Sequence, residues 1–390
     1  MTDSETISYI KLCAIKEVGS ITAMRLLNHF GTPDAIFSAS KTELMQVEKI
    51  GEKTAETIIK NRGLVDTSKI LDAINRVGAR YINFKSKSYP KQLNSLPDKP
   101  VGFYAIGDVD FSAPAISIVG SRNCTVYGQL VARRFASAFA QAGYTVISGM
   151  ARGIDTMAHL GALEVGGKTI AVLGSGVDVV YPSENMNLYQ KIIASGAVIS
   201  EFPMGTRADR QNFPIRNRIV AGMSLATLVV ESDIKGGSMI TARVASEYGR
   251  DVFAIPGRID SPLSRGCNAL IRDGAILAST PEDIIDALNF AKPIQMSLFD
   301  TLQSIPTQSQ LPTPTPKQKP STQEQPINTP KLSNDELTIY KIIERETTIH
   351  IDTLCELSNF EMKRCLPILL MLEIKRLIIK DAGGNYSLRK

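Results

Sequence analysis

The chain has 390 residues, 43% of them hydrophobic, and a formal net charge of +5. That length exceeds one typical domain and sets two or three as the expectation. No run approaches the roughly 18 apolar residues of a membrane span, and the polar, acidic start sets the expectation of no secretory leader. Cys13, Cys124, Cys267, Cys355 and Cys365 show no CxxC or zinc spacing, and His29, His159 and His350 are equally scattered. No metal or cofactor is therefore expected, and a reducing cytoplasm is the expected setting.

Residues 1–75 hold an internal repeat. Val18-Gly-Ser-Ile-Thr-Ala-Met-Arg-Leu-Leu27 matches Ile50-Gly-Glu-Lys-Thr-Ala-Glu-Thr-Ile-Ile59, 32 residues on. The pattern resembles tandem helix-hairpin-helix motifs, whose glycine hairpins offer backbone amides to DNA phosphate without reading sequence. Yet the region carries 9 Lys+Arg against 10 Asp+Glu. A helical domain that keeps the shape without the DNA is an equal alternative. Residues 76–112 read as a connector with two extra strands, Arg80–Phe84 and Gly102–Ile106. Tyr89-Pro90 and Pro97 enforce an extended path between them.

Residues 113–290 repeat one plan. Ile116-Ser-Ile-Val-Gly-Ser-Arg-Asn123 is an apolar β-branched run entering a small-residue turn, with helical periodicity after it. Val146–Asp155, Lys168–Gly176, Ala197–Phe202, Thr227–Ser232 with Gly236-Gly-Ser238, and Val252–Gly257 do the same. Continuous rather than alternating apolar runs mean strands buried on both faces. The fold class is thus α/β, a doubly wound Rossmann-like parallel sheet with its glycine turns at the carboxyl ends of the strands. Such turns aim amides and helix N-termini at anions. The first is not G-x-G-x-x-G, because Arg122 stands where a dinucleotide enzyme has its second glycine. A fixed cation there favours a polyanion. The basic excess lies here too: residues 76–291 carry 22 Lys+Arg against 18 Asp+Glu. Arg207, Arg210, Arg216 and Arg218 fall within twelve residues around Phe213, opposed only by Asp209. Cations for a backbone and an aromatic for bases are what sequence-tolerant single-strand binding needs. Core packing of Phe213 and salt-bridging of Arg216 and Arg218 are the alternatives. Asp155 and His159 read as capping and packing residues.

Residues 291–332 hold eight prolines from Pro293 to Pro330 with abundant Gln, Ser and Thr, the composition of a disordered linker. Gln295-Met-Ser-Leu-Phe299 in it resembles the peptide by which bacterial proteins dock on the DNA sliding clamp. Gln295, Met296, Leu298 and Phe299 are its candidate contacts. Residues 333–390 read as three helices (335–346, 351–357 and 360–375) and a hairpin over 377–388, the winged-helix plan. Their 9 Lys+Arg balance 9 Asp+Glu, which favours a protein-contact or vestigial role over duplex reading.

Ile-Val-Gly-Ser-Arg (118–122), Ser-Gly-Met-Ala-Arg-Gly-Ile-Asp (148–155) with His159, and Asn-Phe-Pro-Ile-Arg-Asn-Arg-Ile (212–219) resemble the DNA-processing protein A family (DprA, also called Smf). Gly236-Gly-Ser238, Ile255-Pro-Gly257 and Gly266-Cys-Asn-Ala-Leu-Ile271 match as well, over roughly residues 80–290. The resemblance implies a cytoplasmic protein that binds single-stranded DNA, protects incoming strands in natural transformation and loads a RecA-type recombinase. It also implies a homodimer through Gly266–Leu277, with Asn268, Leu270, Ile271 and Leu277 as candidate interface residues. For DNA it implies Arg122, Arg210 and Phe213. The expected set also includes Gly120, Ser121, Gly149, Arg152, Lys168, Arg207, Arg216, Asn217, Arg218, Gly236, Gly237 and Ser238.

Two rival functions remain. The Gly236-Gly-Ser-Met-Ile-Thr241 turn is similar to that of nucleotide phosphoribohydrolases of the lysine-decarboxylase-like group. Here Lys235 replaces a proline and Val244 a glutamate, and Glu247 is the nearest carboxylate, so the chemistry lacks a ready acid/base. The other rival is a regulator reading duplex DNA through residues 333–390.

Overall fold

The computed structural model describes residues 4–15, 18–290 and, of the carboxyl-terminal stretch, 334–388 apart from 347, 359, 361, 376 and 381–384. It forms two units, taken in turn.

The first unit opens with six helices: α1 (Ser4–Ala14), α2 (Ser20–Phe30), α3 (Pro33–Ser38), α4 (Lys41–Leu44), α5 (Glu52–Asn61) and α6 (Thr67–Arg76). Short polar caps separate them. Thr32 accepts from the Ala35 amide, and Ser40 and Glu43 form a capping box. The helices enclose Leu12, Leu26, Ile36, Leu44 and Ile58, all fully buried.

A nine-stranded sheet follows, in the order β1-β2-β6-β5-β4-β3-β7-β8-β9. The strands are β1 (Arg80–Asn83), β2 (Gly102–Gly107), β3 (Ala115–Val119), β4 (Thr145–Ser148), β5 (Thr169–Val172), β6 (Ala197–Ser200), β7 (Ala226–Val229), β8 (Asp251–Ala254) and β9 (Ile276–Leu277). β3 through β9 pair in parallel, whereas β2 joins β6 antiparallel and β1 joins β2 antiparallel. The two strands expected in the connector therefore extend the main sheet. Phe103 and Ala105 of β2 share a core with Ile199 of β6 and Leu93 of α7 (Lys91–Asn94).

Helices cover both faces. α8 (Val126–Gln141), α9 (Ile154–Glu164) and α14 (Pro281–Phe290) pack Phe135, Phe139, Ala158 and Ile284 against one. α11 (Asn212–Gly222), α12 (Gly237–Glu247) and α13 (Arg265–Arg272) pack Ile219, Val220, Ala242, Ala245 and Cys267 against the other. α10 (Met186–Ser195) covers β5 and β6 through Leu188 and Ile192. The chain winds outward from β3 through β4 and β5 to β6, then returns to place β7 on the other side of β3. That reversal splays the loops after β3 and β7 apart and opens a crevice at their carboxyl ends.

The second unit has α15 (Asn334–Glu346), β10 (Thr348–His350), α16 (Ile351–Ser358), α17 (Met362–Ile374), β11 (Ile378–Lys380) and β12 (Asn385–Leu388). The strands form an antiparallel sheet in the order β10-β12-β11 over a core of Ile339, Ile343, Leu354, Leu369 and Leu372. Strand β10 was not anticipated; its three residues are too short to show an alternation. Arg364 pairs with Asp335 at 2.7 Å and Lys375 with Glu336 at 2.7 Å, so two cations of the third helix and the residue after it are engaged within the unit.

Candidate functional site

A groove of about 560 Å³ occupies the crevice between β3 and β7. Gly120, Ser121, Arg122 and Asn123 line one side, Gly236, Gly237 and Ser238 the other, and Arg210, Phe213 and Asn217 a third.

The glycines are needed for space. A Cβ on Gly120 would sit 2.6 Å from the Ile154 side chain and 2.9 Å from the Glu231 carbonyl. One on Gly236 would sit 2.3 Å from the Ser232 hydroxyl.

The amides at these turns are not equally free. At the start of α8, the buried Glu231 carboxylate accepts from the Thr125 amide at 2.8 Å and the Thr125 hydroxyl at 2.6 Å. The Ser121 amide goes to the Glu231 carbonyl at 2.7 Å. At the turn before α9, the Asp155 carboxylate accepts from the amides of Gly149 and Ala151 at 3.2 and 3.3 Å. Each turn holds an anion of its own chain where a bound phosphate would otherwise sit. α12 differs: Gly236 is its N-cap, no side chain caps it, and Gly237 is exposed.

The fixed charges come from side chains. Arg122 is exposed and lays its guanidinium 4.9 Å from the centroid of Phe213. Phe213 is half-buried, neither core nor free. Gly174, after β5, makes room for its ring, since a Cβ there would meet Phe213 at 2.9 Å. Arg210 is exposed one turn before Phe213. Phe213 and Asn217 share one face of α11 because residues four apart stack along a helix, and Arg210, on the turn just before Asn212, lines the same groove. Pro214 fits in the first turn, where its missing amide has no intrahelical partner to lose.

The same helix carries two arginines whose guanidinium groups are held by the protein itself. Arg216 is 5% exposed and points into the carboxyl edge of the sheet. Its guanidinium donates to the Gly149 carbonyl at 2.7 Å and to the Val172 carbonyl, and fills the space a Cβ on Gly149 would need. Burial pulls this guanidinium down to about 10, against the attraction of Asp155. Burial likewise pushes the Asp155 carboxyl up, and Arg216 holds it back. Arg216 is thus a structural counter-ion, and Gly149 is the space for it. Arg218 is 8% exposed on the far side of α11. It pairs with the largely covered Glu201 and donates to the Asp98 carbonyl and, at 3.4 Å, to the Ser20 hydroxyl. Arg216 still lines the groove, whereas Arg218 is not among its lining residues: a cluster of arginines in a helical segment must point several ways.

Besides Arg218, three expected cations fall outside the groove. Lys168 precedes β5, so it lies at the amino edge of the sheet, a strand length of about 13 Å from the turns. Arg207 is exposed on the loop before α11 and does not line the groove. Arg152 is exposed but bound by Glu184, with Nη2 donating to Oε2 at 2.7 Å.

Of the expected interface residues, Asn268 donates to the Gly257 carbonyl at 2.9 Å and accepts from its amide at 3.1 Å. Leu270 and Ile271 pack against their own core. Leu277 is 46% exposed on the edge strand β9, beside Ile276. Gln295, Met296, Leu298 and Phe299 lie outside the described residues. His159 is buried, as expected of a packing residue. Its Nδ1 meets Thr169 Oγ1 at 2.7 Å, and Nε2 has no partner among the described residues. Thr169 donates its hydroxyl proton to the Val146 carbonyl, so Nδ1 carries the imidazole proton. Among the described residues no cluster of possible metal ligands occurs, and no helix is long and apolar enough to cross a membrane.

Comparison with known proteins agrees with this layout. A family model described as DNA recombination-mediator protein A matches residues 80–289. A SAM-like helix-hairpin-helix tandem matches 9–61 and a DprA winged helix domain matches 314–384. Protein Smf of Synechocystis is 36% identical over 293 residues, 74% of this chain and 74% of that protein. DNA processing protein DprA of Streptococcus pneumoniae is 41% identical over 203 residues, 52% of this chain and 72% of that protein. The X-ray structure of DNA processing protein A from Streptococcus pneumoniae superposes with a TM-score of 0.65 at 30% identity, covering 73% of this chain and 98% of that one.

Proposed function

This chain belongs to the DNA recombination-mediator protein A family, and we propose that it binds single-stranded DNA in the groove between β3 and β7. In that role it protects incoming strands in the cytoplasm during natural transformation and loads a RecA-type recombinase onto them. The observation that carries the reading is the Arg122–Phe213 pair, a guanidinium 4.9 Å from a half-buried ring at the open end of α12. An aromatic face takes any base, cations take the backbone, and neither demands a sequence. Two of the three glycine turns already hold carboxylates, so side-chain cations and the α12 amino terminus carry the phosphate attraction.

Binding rather than catalysis is the reading the carboxylates favour. Glu247 ends α12, roughly 15 Å along the helix from Gly237, and lines a different hollow. Asp155 lines the groove, but its Oδ2 accepts from both the Gly149 and the Ala151 amides, which makes it a brace for the turn. Self-association belongs to the same proposal. Ile276 and Leu277 leave an apolar edge strand open to a second copy. Two grooves joined there would hold one long strand with avidity.

Electrophoretic shift of the full chain tests the function. Single strands of unrelated sequence should bind alike, more tightly than duplex, and less tightly as salt rises. Equal affinity for duplex, or binding that survives high salt unchanged, would overturn it. Sedimentation at micromolar concentration should show a dimer, and Leu277→Arg a monomer.

A further inference from the structure

Phe213 has a neighbour of the same kind. Tyr181, on the segment between β5 and α10, sets its ring centroid 5.8 Å from that of Phe213, tilted by 38°. Phe213 therefore has both a guanidinium and a second ring for neighbours. Tyr181 is 46% exposed, so part of its ring stays open to solvent beside Phe213. The two rings are too close for a base to enter between them, which needs two stacking distances. The exposed face of Tyr181 is a surface separate from that of Phe213.

The position of that face is fixed by its surroundings. Asn185, just beyond Tyr181, donates to the Met150 carbonyl at 2.9 Å and the Thr156 hydroxyl at 3.0 Å. Arg152 and Glu184 add a two-pronged ion pair between the same two segments. The segment bearing Tyr181 is thus fastened to the turn before α9, at the groove's edge. A ring held in place loses little freedom when a base settles on it.

We infer that Tyr181 is a second stacking platform, for the unpaired nucleobase next to the one held at Phe213. The inference rests on the function proposed above and deepens it. Two adjacent platforms require two consecutive bases with free faces, which a single strand offers and a duplex does not. Arg152 and Glu184 are positioning residues in this arrangement.

The test uses the full chain and a fluorescein-labelled oligothymidylate. Tyr181→Ala should weaken binding about tenfold, Tyr181→Phe should stay within about twofold of the parent, and Phe213→Ala should weaken it at least as much as Tyr181→Ala. Melting temperatures close to the parent's show that the variants fold. The chain contains no tryptophan, so Tyr181→Trp supplies a single reporter whose emission should be quenched by a stacked base. Parental affinity in Tyr181→Ala alongside weakened Phe213→Ala overturns the inference and leaves the function standing. So does unchanged emission from a Tyr181→Trp variant that binds. Failure of the parent chain to bind oligothymidylate overturns the function itself, and this inference with it.

Discussion

At the amino-terminal hairpins and at the carboxyl edge of the sheet the chain uses one local device, a glycine followed by a helix. The surroundings then separate them. Gly19 and Ser20 open α2, but the Ser20 hydroxyl is tied to Glu201 and Arg218 of the α/β layer, so this hairpin serves as a packing contact. Gly51 opens α5 with no described atom within 4 Å of where a Cβ would stand, yet Glu52 and Glu56 follow and hold Lys41 at 2.7 and 2.5 Å. One hairpin is occupied and the other is acidic. At the sheet edge, Glu231 and Asp155 occupy two turns in the same way, and α12 is left open beside exposed arginines. On the function proposed, a glycine turn can serve as an anion site only where no side chain of its own chain caps the helix that follows.

Four measurements break or sharpen that contrast. The largest effect belongs to Arg216. Arg216→Ala strands the buried Asp155 and two main-chain carbonyls, and should cost about 3–5 kcal/mol in denaturant unfolding. A variant of parental stability that has lost only DNA affinity would return Arg216 to the ligand set.

Next comes the groove itself. Arg122→Glu with Arg210→Glu should weaken single-strand binding on the order of 100-fold, since two phosphate attractions become repulsions. Lys53→Glu, beside the open hairpin, should change it by less than about twofold if that hairpin takes no phosphate. Comparable losses from both changes would make the hairpin a second site.

A third effect is acid lability confined to one of the two regions. Burial holds the His159 imidazole down at about 3, so it is neutral in the folded chain and protonates near 6.5 when unfolded. Its contribution is complete above pH 6.5 and is lost as pH falls towards 3. Between pH 6.5 and 5 the loss should be about 2 kcal/mol. Asp155 and Glu201, whose carboxyls burial pushes up, act in the opposite sense. His159→Gln therefore isolates the histidine and should remove the downward slope over that window. His29, in the helical region, is exposed. A slope unchanged in His159→Gln would assign the lability elsewhere.

The smallest effect tests the role of the hairpin's carboxylates directly. Glu52→Lys with Glu56→Lys should convert the open hairpin into a weak phosphate contact. Affinity should rise a few-fold in low salt, with the gain fading as the Debye length shrinks to about 8 Å. No gain at any salt would mean that charge is not what keeps this hairpin from phosphate.

Much of the architecture could be read from residues alone. The runs around Ile116, Val146, Ile170, Val198, Leu228 and Phe253 are short, continuous and apolar because both sheet faces are covered, and the structure has a strand at each. The glycine after several of them marks a carboxyl-terminal turn. The three helices and hairpin of the last 58 residues were equally plain in their periodicity. Less legible was the joining of Arg80–Asn83 and Gly102–Gly107 to the sheet, because antiparallel addition to β6 rests on a partner almost 100 residues away.

Sequence by itself therefore determined the elements, the switch from β3 to α8 and the density of cations around Phe213. These are properties of local pattern, set by which residues tolerate burial on one face, two faces or none. Only the tertiary structure decided which cations are free. Arg210 faces the groove, Arg216 supports the sheet edge and Arg218 clasps Glu201, though all three lie within nine residues. Their directions follow from where α11 begins and from which carbonyls and carboxylates surround it. Lys168 and Tyr181 make the same point from opposite sides. Lys168 follows the expected pattern yet lies at the wrong end of a strand, and Tyr181 lies in a segment with no basic cluster yet touches Phe213. Charge and aromaticity are written in the chain, but proximity is set by strand order, and strand order depends on partners far along the chain.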